Sequence, residues 1–384
     1  MSILTAEQQE IKKAAKEFVA KYIIPNAAEY DRKGEFHPFL LEAAKESKIF
    51  TMAIPKKYGG VGYDALTQAV VVEEWGYGCA GMGTTLAAGV LGMDSLLIAG
   101  TEEQKQRYFE PILKGGLAAF ALTEPGAGSD AASVQTTAVK SGDDYVLNGT
   151  KCFITNGGYA NGYVILAKTD PSKGVKGISA FMVEKGRPGF TIGAAEHKLG
   201  IRSSNTVELL LKDVHVPASN LLGKEGDGMK IAMMTLDMGR TLIAALALGV
   251  AQRALDECVK YLQERFPGKL QPGQTLQFKL ADMQIQVEAA RQMLHYAMNL
   301  RDSGLPYSKE SAITKTVCGD TAMSVTTQAV SLMGSYGYTS EIAKLMRDAK
   351  IMQVYEGTNQ IQRLVVARAV LHPAPAAAAG KKAA

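Results

Sequence analysis

Along this chain the spacing of apolar positions changes period twice. Near the start, Ile11, Ala15, Phe18 and Tyr22 recur at helical spacing and make one apolar face. Thr5-Ala6-Glu7-Gln8 ahead of them reads as a capping box, with Thr5 and Gln8 each serving the other's backbone. Further helical patterns cover 38–47, 65–76, 81–98 and 102–114, separated by glycine-rich turns such as Tyr58-Gly59-Gly60-Val61-Gly62. At about Leu117 the period shortens. Runs at 119–123, 145–147, 151–155, 163–168, 178–183 and 207–216 are β-branched or alternating, with Ser-Gly-Asp-Asp, Asn-Gly-Gly and Lys-Gly turns between them. From Gly228 the helical period returns over 229–266, 277–303, 308–334 and 342–371, with short connections. The pattern predicts an α+β chain. An N-terminal α-helical domain spans 1–117, a β-barrel or sandwich domain 118–227, and an antiparallel four-helix bundle 228–371. The Pro/Ala-rich tail at 372–384 is expected to be disordered.

Composition narrows the possible functions. A length of 384 residues with 47% apolar and 21% charged residues fits a globular chain of two or three domains. The net charge of +4 is interspersed and forms no clustered basic face, so no nucleic-acid partner is expected. Cys79, Cys152, Cys258 and Cys318 are far apart, which indicates neither zinc nor disulfides and fits a reducing compartment. The five histidines are scattered, so no metal site is expected. The N-terminus has no signal-like region, and the longest apolar run, 242–251, is broken by Gly249 and too short to span a bilayer. A cytoplasmic protein without a membrane span is expected. There is no GxGxxG, Walker A, HExxH or GxSxG motif.

Three stretches could carry chemistry. In Val354-Tyr355-Glu356-Gly357-Thr358-Asn359, one carboxylate sits between an aromatic residue and a glycine, just before a helix that Thr358 or Asn359 can cap. The reading is either a base mounted on a tight turn or a solvated glutamate favoured by the helix dipole. Leu122-Thr123-Glu124-Pro125-Gly126-Ala127-Gly128-Ser129-Asp130 follows an apolar strand and is either a loop whose N–H groups approach a ligand or an ordinary Pro-Gly turn. Ile154-Thr155-Asn156-Gly157-Gly158 ends another strand, as a second ligand loop or a hairpin turn.

LTEPGAGSD, FITNGG, KLGIRSSNT, FKLADM, MRDAK and YEGTNQIQR, in that order, resemble the acyl-CoA dehydrogenase flavoproteins over residues 1 to about 371. Leu236-Asp237-Met238-Gly239-Arg240 most resembles the short-chain, butyryl-CoA branch. The resemblance implies FAD between the β domain and the bundle, with an acyl-CoA thioester against it. Glu356 matches the base that takes the α-proton while flavin N5 takes a hydride from the β-carbon, giving the 2-enoyl-CoA. The thioester oxygen would be held by the Glu356 N–H and a flavin hydroxyl. Leu122, Thr123, Phe153, Thr155, Thr358 and Asn359 match cofactor-binding positions, and Ser129 matches a contact to cofactor or CoA. Leu91, Tyr355 and Gly357 match the acyl site, and Asp237 and Arg240 match residues that hold the CoA moiety. Arg265, Gln274, Gln328 and Gly334 match positions that reach the FAD of a neighbouring subunit, which implies a homo-oligomer, usually a tetramer. An electron-transfer flavoprotein is the implied electron acceptor. A few members carry the base at the position of Gly239, which cannot serve here.

This chain departs from the family pattern in four places. The 265–274 run is about two residues short and lacks a usual phenylalanine before Gln274; Ser335 replaces a glycine; and Phe153 stands where tryptophan is common. Asp94 lies on the Ala87, Leu91, Asp94 stripe where a neutral residue is usual. It either rotates outward or caps local backbone, or it is a second active-site carboxylate facing Glu356, for a polar ω-group or a remote carbon of a cyclic acyl-CoA. Cyclohexane- and cyclohexenecarboxyl-CoA dehydrogenases are relatives of that kind. The other readings are an enoyl-CoA reductase in the physiological direction and a nucleic-acid-associated member of the superfamily without dehydrogenase activity. The second would need a basic C-terminal domain, where this chain has only Lys381 and Lys382.

Overall fold

The computed structural model describes residues 4–47, 49–268 and 273–373. The first third is helical: α1 (Ala6–Phe18), α2 (Ile24–Lys33), α3 (Pro38–Ser47), α4 (Ala65–Gly78), α5 (Ala80–Ala99) and α6 (Glu102–Leu113). The expected capping box at α1 is made on both sides, Gln8 N to Thr5 Oγ1 at 3.2 Å and Thr5 N to Gln8 Oε1 at 3.0 Å. Helices α4 and α5 are buried on nearly every face, which is why they read as apolar all round rather than as one stripe.

The middle of the chain forms β1 (Leu117–Ala121), β2 (Thr137–Ser141), β3 (Asp144–Thr155), β4 (Ala160–Lys168), β5 (Ile178–Glu184), β6 (Phe190–Ala195), β7 (Thr206–Pro217) and β8 (Leu221–Leu222). They join one mixed sheet in the order β6-β7-β3-β2-β4-β5-β8, with β1 parallel to β4. The expected runs at 145–147 and 151–155 are one long strand, β3. The hairpin reading of Asn156-Gly157-Gly158 fails, because β3 and β4 are not hydrogen-bonded to each other. Instead Asn156 Nδ2 donates to Thr85 O at 2.9 Å and docks the sheet on α5.

Four long or medium helices and a fifth follow: α7 (Gly228–Arg265), α8 (Gln274–Asp302), α9 (Ser308–Thr339), α10 (Glu341–Ala349) and α11 (Asn359–Leu371). The run predicted as one helix over 342–371 is broken in two, by a 3₁₀ turn at Lys350–Gln353 and the bend that carries Glu356. Helix α9 continues past Gly334, which bends at φ 60° and ψ −133°. Helix α7 threads the molecule against α4, and a Cβ on Gly76 would lie 2.3 Å from Leu246 O, so the two backbones cross where only glycine fits. Helices α5 and α7 are long and apolar enough to cross a membrane, but most of each is buried inside the fold. The expected tail at 372–384 lies, from residue 374 on, outside the described residues, as does 269–272 of the shortened loop.

Candidate active site

Glu356 sits on the bend between α10 and α11 with φ 57°, followed by Gly357 at φ 88°. Two successive left-handed residues turn the chain sharply. Glycine does this freely, while Glu356 bears a strain on the order of 1–3 kcal/mol. The bend is held from both sides. Gln362 Nε2, inside α11, donates to Glu356 O at 3.1 Å and Gly357 O at 3.0 Å. Thr358 caps α11 by accepting from Ile361 N at 3.3 Å. Asn359, fully inside, accepts from Lys315 Nζ at 2.8 Å and donates to Asp320 Oδ1 at 2.8 Å. Asp320 also accepts from Gln353 Nε2 at 2.7 Å and Arg363 Nη2 at 3.1 Å. The side chain of Asn359 is therefore committed to holding the bend.

One oxygen of the carboxylate is left free: Glu356 Oε2 is buried without a hydrogen-bond partner among the described residues. Burial pushes the carboxyl up to about 7, against the opposing pull of Arg240 and Lys315. Gly239 on α7 makes the space: a Cβ there would lie 2.7 Å from Glu356 Oε2 and 2.6 Å from Leu91 Cδ2. So Leu91 of α5, Gly239 of α7 and Glu356 meet at one point. Arg240 is buried and paired with Asp237 Oδ1 at 2.5 Å, and Ser308 Oγ donates to the same Asp237 oxygen at 3.0 Å. Tyr355 places its hydroxyl against Met352 Sδ at 3.0 Å.

Asp94 neither rotates outward nor caps backbone. It is 4% exposed, its Oδ2 has no partner among the described residues, and Arg301 Nη2 stands 3.9 Å from Oδ1. Burial pushes it up to about 6, with Arg301 pulling the other way. It lies one helical turn from Leu91 and lines a cavity of about 400 Å³ with Tyr63, Gln68, Leu97 and Arg301.

The sheet presents its own set of residues. Leu122 O accepts from Lys151 Nζ at 3.0 Å, and Thr123 O from Cys152 N at 3.0 Å, which fixes the start of the 122–130 loop. Glu124, buried beneath it, pairs with Lys151 Nζ at 2.7 Å and accepts from Gln135 N at 2.5 Å and Thr136 N at 3.0 Å. Beyond that anchor the loop is open: Ser129 is exposed, and a Cβ on Gly126 or Gly128 would meet nothing within 4 Å. Phe153 stands at a bulge of β3, between Lys151 and Ile154, with φ 56° and 61% of its surface exposed. Bulges re-aim side chains, and an aromatic ring held outward on a strained backbone suits a flat ligand. Thr155 follows two residues on, and Cys152 N bonded to Thr123 O ties this strand to the start of the glycine loop.

Arg265, Gln274, Gln328 and Gly334 are not brought to Glu356. Gly239 and Arg265 lie about 39 Å apart along the single helix α7. Stacking of Tyr261 on Tyr336, 5.5 Å between ring centres, ties the end of α7 to the Gly334 bend at that far end. Sequence reasoning missed Lys315, Asp320, Gln362, Glu124 and Lys151. Lys151 on β3 and Lys315 on α9 are both fully buried, and neither position carries a local mark in the sequence.

Residues 5–116, 119–214 and 226–371 match the N-terminal, middle and C-terminal domains of acyl-CoA dehydrogenase. The short-chain specific acyl-CoA dehydrogenase of Clostridium acetobutylicum is 47% identical over 372 residues, 94% of this chain and 97% of that one. Butyryl-CoA dehydrogenase from Megasphaera elsdenii is 46% identical with a TM-score of 0.94, covering 97% of this chain and 100% of that chain. A chain from structural work on the electron transferring flavoprotein of Acidaminococcus fermentans is 48% identical with a TM-score of 0.94 and the same coverage. With all three domains matched in order, the chain belongs to the acyl-CoA dehydrogenase family of FAD-dependent oxidoreductases and resembles its short-chain branch.

Proposed function

We propose that this enzyme dehydrogenates a short, branched or alicyclic acyl-CoA thioester to the 2-enoyl-CoA, with Glu356 as the base. The observation that carries the reading is the Glu356 carboxyl, whose Oε2 is buried with no hydrogen-bond partner among the described residues and which burial pushes up to about 7, in a space that Gly239 keeps open. A base near neutrality accepts a carbon-bound proton well and still releases it. Bound FAD supplies the acceptor for the hydrogen that leaves the β-carbon. Leu122, Thr123, Ser129, Phe153 and Thr155 would hold FAD. Glu356 takes the α-proton at its side chain while its own N–H polarises the thioester oxygen. Leu91 and Tyr355 exclude water from the carboxylate. Electrons pass to an electron-transfer flavoprotein, a partner suggested by the Acidaminococcus relative. Assembly as a homo-oligomer is supported by Phe278, Ile285 and Tyr296, exposed apolar residues along α8.

A second reading concerns the acyl group. Asp94 is buried, has an unpaired oxygen, and lies one turn from Leu91, which favours a substrate whose far end meets a second carboxylate. One experiment tests both. The yellow holoenzyme is mixed anaerobically with a panel of acyl-CoA thioesters, and flavin bleaching is followed. Wild type bleaches with its substrate, and Glu356→Gln binds it without bleaching; full bleaching by that variant sinks the base assignment. Asp94→Asn loses more with cyclohexane- or cyclohexenecarboxyl-CoA than with butyryl-CoA; equal loss on both, or none, rejects the second carboxylate.

A further inference from the structure

Lys315 is a fully buried amine, lowered by burial to about 8 and so still mostly charged at neutral pH, that the proposed chemistry leaves unused. It lies on α9, and among the described residues its Nζ has one hydrogen bond, 2.8 Å to Asn359 Oδ1 at the first turn of α11. Through Asn359 it connects to Asp320, and through Asp320 to Gln353 and Arg363, so it braces both ends of the bend that carries Glu356. A lysine held in a dry interior by one neutral acceptor needs a compensating charge. The charges acting on it are Glu356, Asp320 and Arg240; those acting on Glu356 are Arg240 of α7 and Lys315 of α9. Arg240 is already paired with Asp237, whereas among the described residues no carboxylate is bound to Lys315. We propose that Lys315 is a positioning residue for Glu356, fixing its bend through Asn359 and supplying the buried positive charge that favours the ionised base. This inference rests on the reading of Glu356 as the base.

Two variants separate charge from support. Lys315→Gln keeps a donor for Asn359 and removes the charge; Lys315→Met removes both and packs with similar length. The pH dependence of kcat/KM for flavin bleaching is measured for each holoenzyme. Protonated Glu356 in the apoprotein is followed by its infrared carboxyl stretch, identified by its loss in Glu356→Gln. Both variants should move the acid limb and the infrared titration upward by about one pH unit, roughly a tenfold loss at pH 6.5 that vanishes above pH 8.5 for Lys315→Gln. Lys315→Met should also lose kcat at high pH. Unmoved profiles, or a uniform loss at every pH, overturn the role of Lys315. Glu356→Gln keeps the two failures apart. Continued bleaching by that variant removes the base and this proposal together, while a dead Glu356→Gln beside an unshifted Lys315→Gln removes only the proposal.

Discussion

Glu124 under the sheet and Glu356 on the bundle's bend are both carboxylates taken out of water, and they end at opposite extremes. Burial alone would push Glu124 up, but Lys151 at 2.7 Å and the N–H groups of Gln135 and Thr136 hold it below the usual carboxylate range. Glu356 has no hydrogen bond on Oε2 among the described residues, so burial outweighs the pull of Arg240 and Lys315 and lifts it to about 7. What separates the structural acid from the proposed base is therefore satisfaction rather than burial. Asp94 falls between, with one arginine at 3.9 Å and a value of about 6.

The contrast can be broken most severely on the satisfied side. Lys151→Met strands Glu124 as an unpaired buried charge and should cost roughly 3–5 kcal/mol, read as a Tm several degrees lower together with weaker FAD retention. An unchanged Tm would show that Glu124 is not held by its partner. On the reactive side, Gly239→Ala puts a methyl group 2.7 Å from Glu356 Oε2 and 2.6 Å from Leu91 Cδ2. Both neighbours are ends of flexible side chains, so the fold should survive while a displacement of about 1 Å lowers kcat by about 10²-fold. Wild-type turnover in Gly239→Ala would separate that space from the chemistry. The smallest effect sharpens the comparison through pH. As the proposed base, Glu356 must be ionised to act, and burial raises it from 4.5 to about 7, so kcat/KM should rise with pH through about 7 and then level. A profile flat down to pH 5.5 would place the acid in a wetter setting.

Much of this was legible in the sequence, for local reasons. The capping box, the long helices and the change of period at about Leu117 all rest on spacings of a few residues, which a linear pattern records. The Glu356 bend was legible because a glycine and a capping residue follow it directly. The periodicity over 342–371 nevertheless ran straight across that bend, since α10 and α11 each keep an apolar face. Strands β2, β6 and β8 escaped because they are short, mostly exposed or interrupted by Gly193. The partners that distinguish the carboxylates were not legible. Lys151 lies 27 residues from Glu124 and Lys315 lies 44 from Asn359, and only the tertiary fold makes them neighbours.

The left-handed backbone at Glu356 has a consequence for the economy of the whole molecule. A residue with a Cβ is held where glycine would rest without strain, and it bears a carboxylate where an apolar group would rest without desolvation. Selection for thermal endurance alone would discard it, and a library screened only for survival on heating should enrich Glu356→Gly. The acid persists at that position against the preference of the fold.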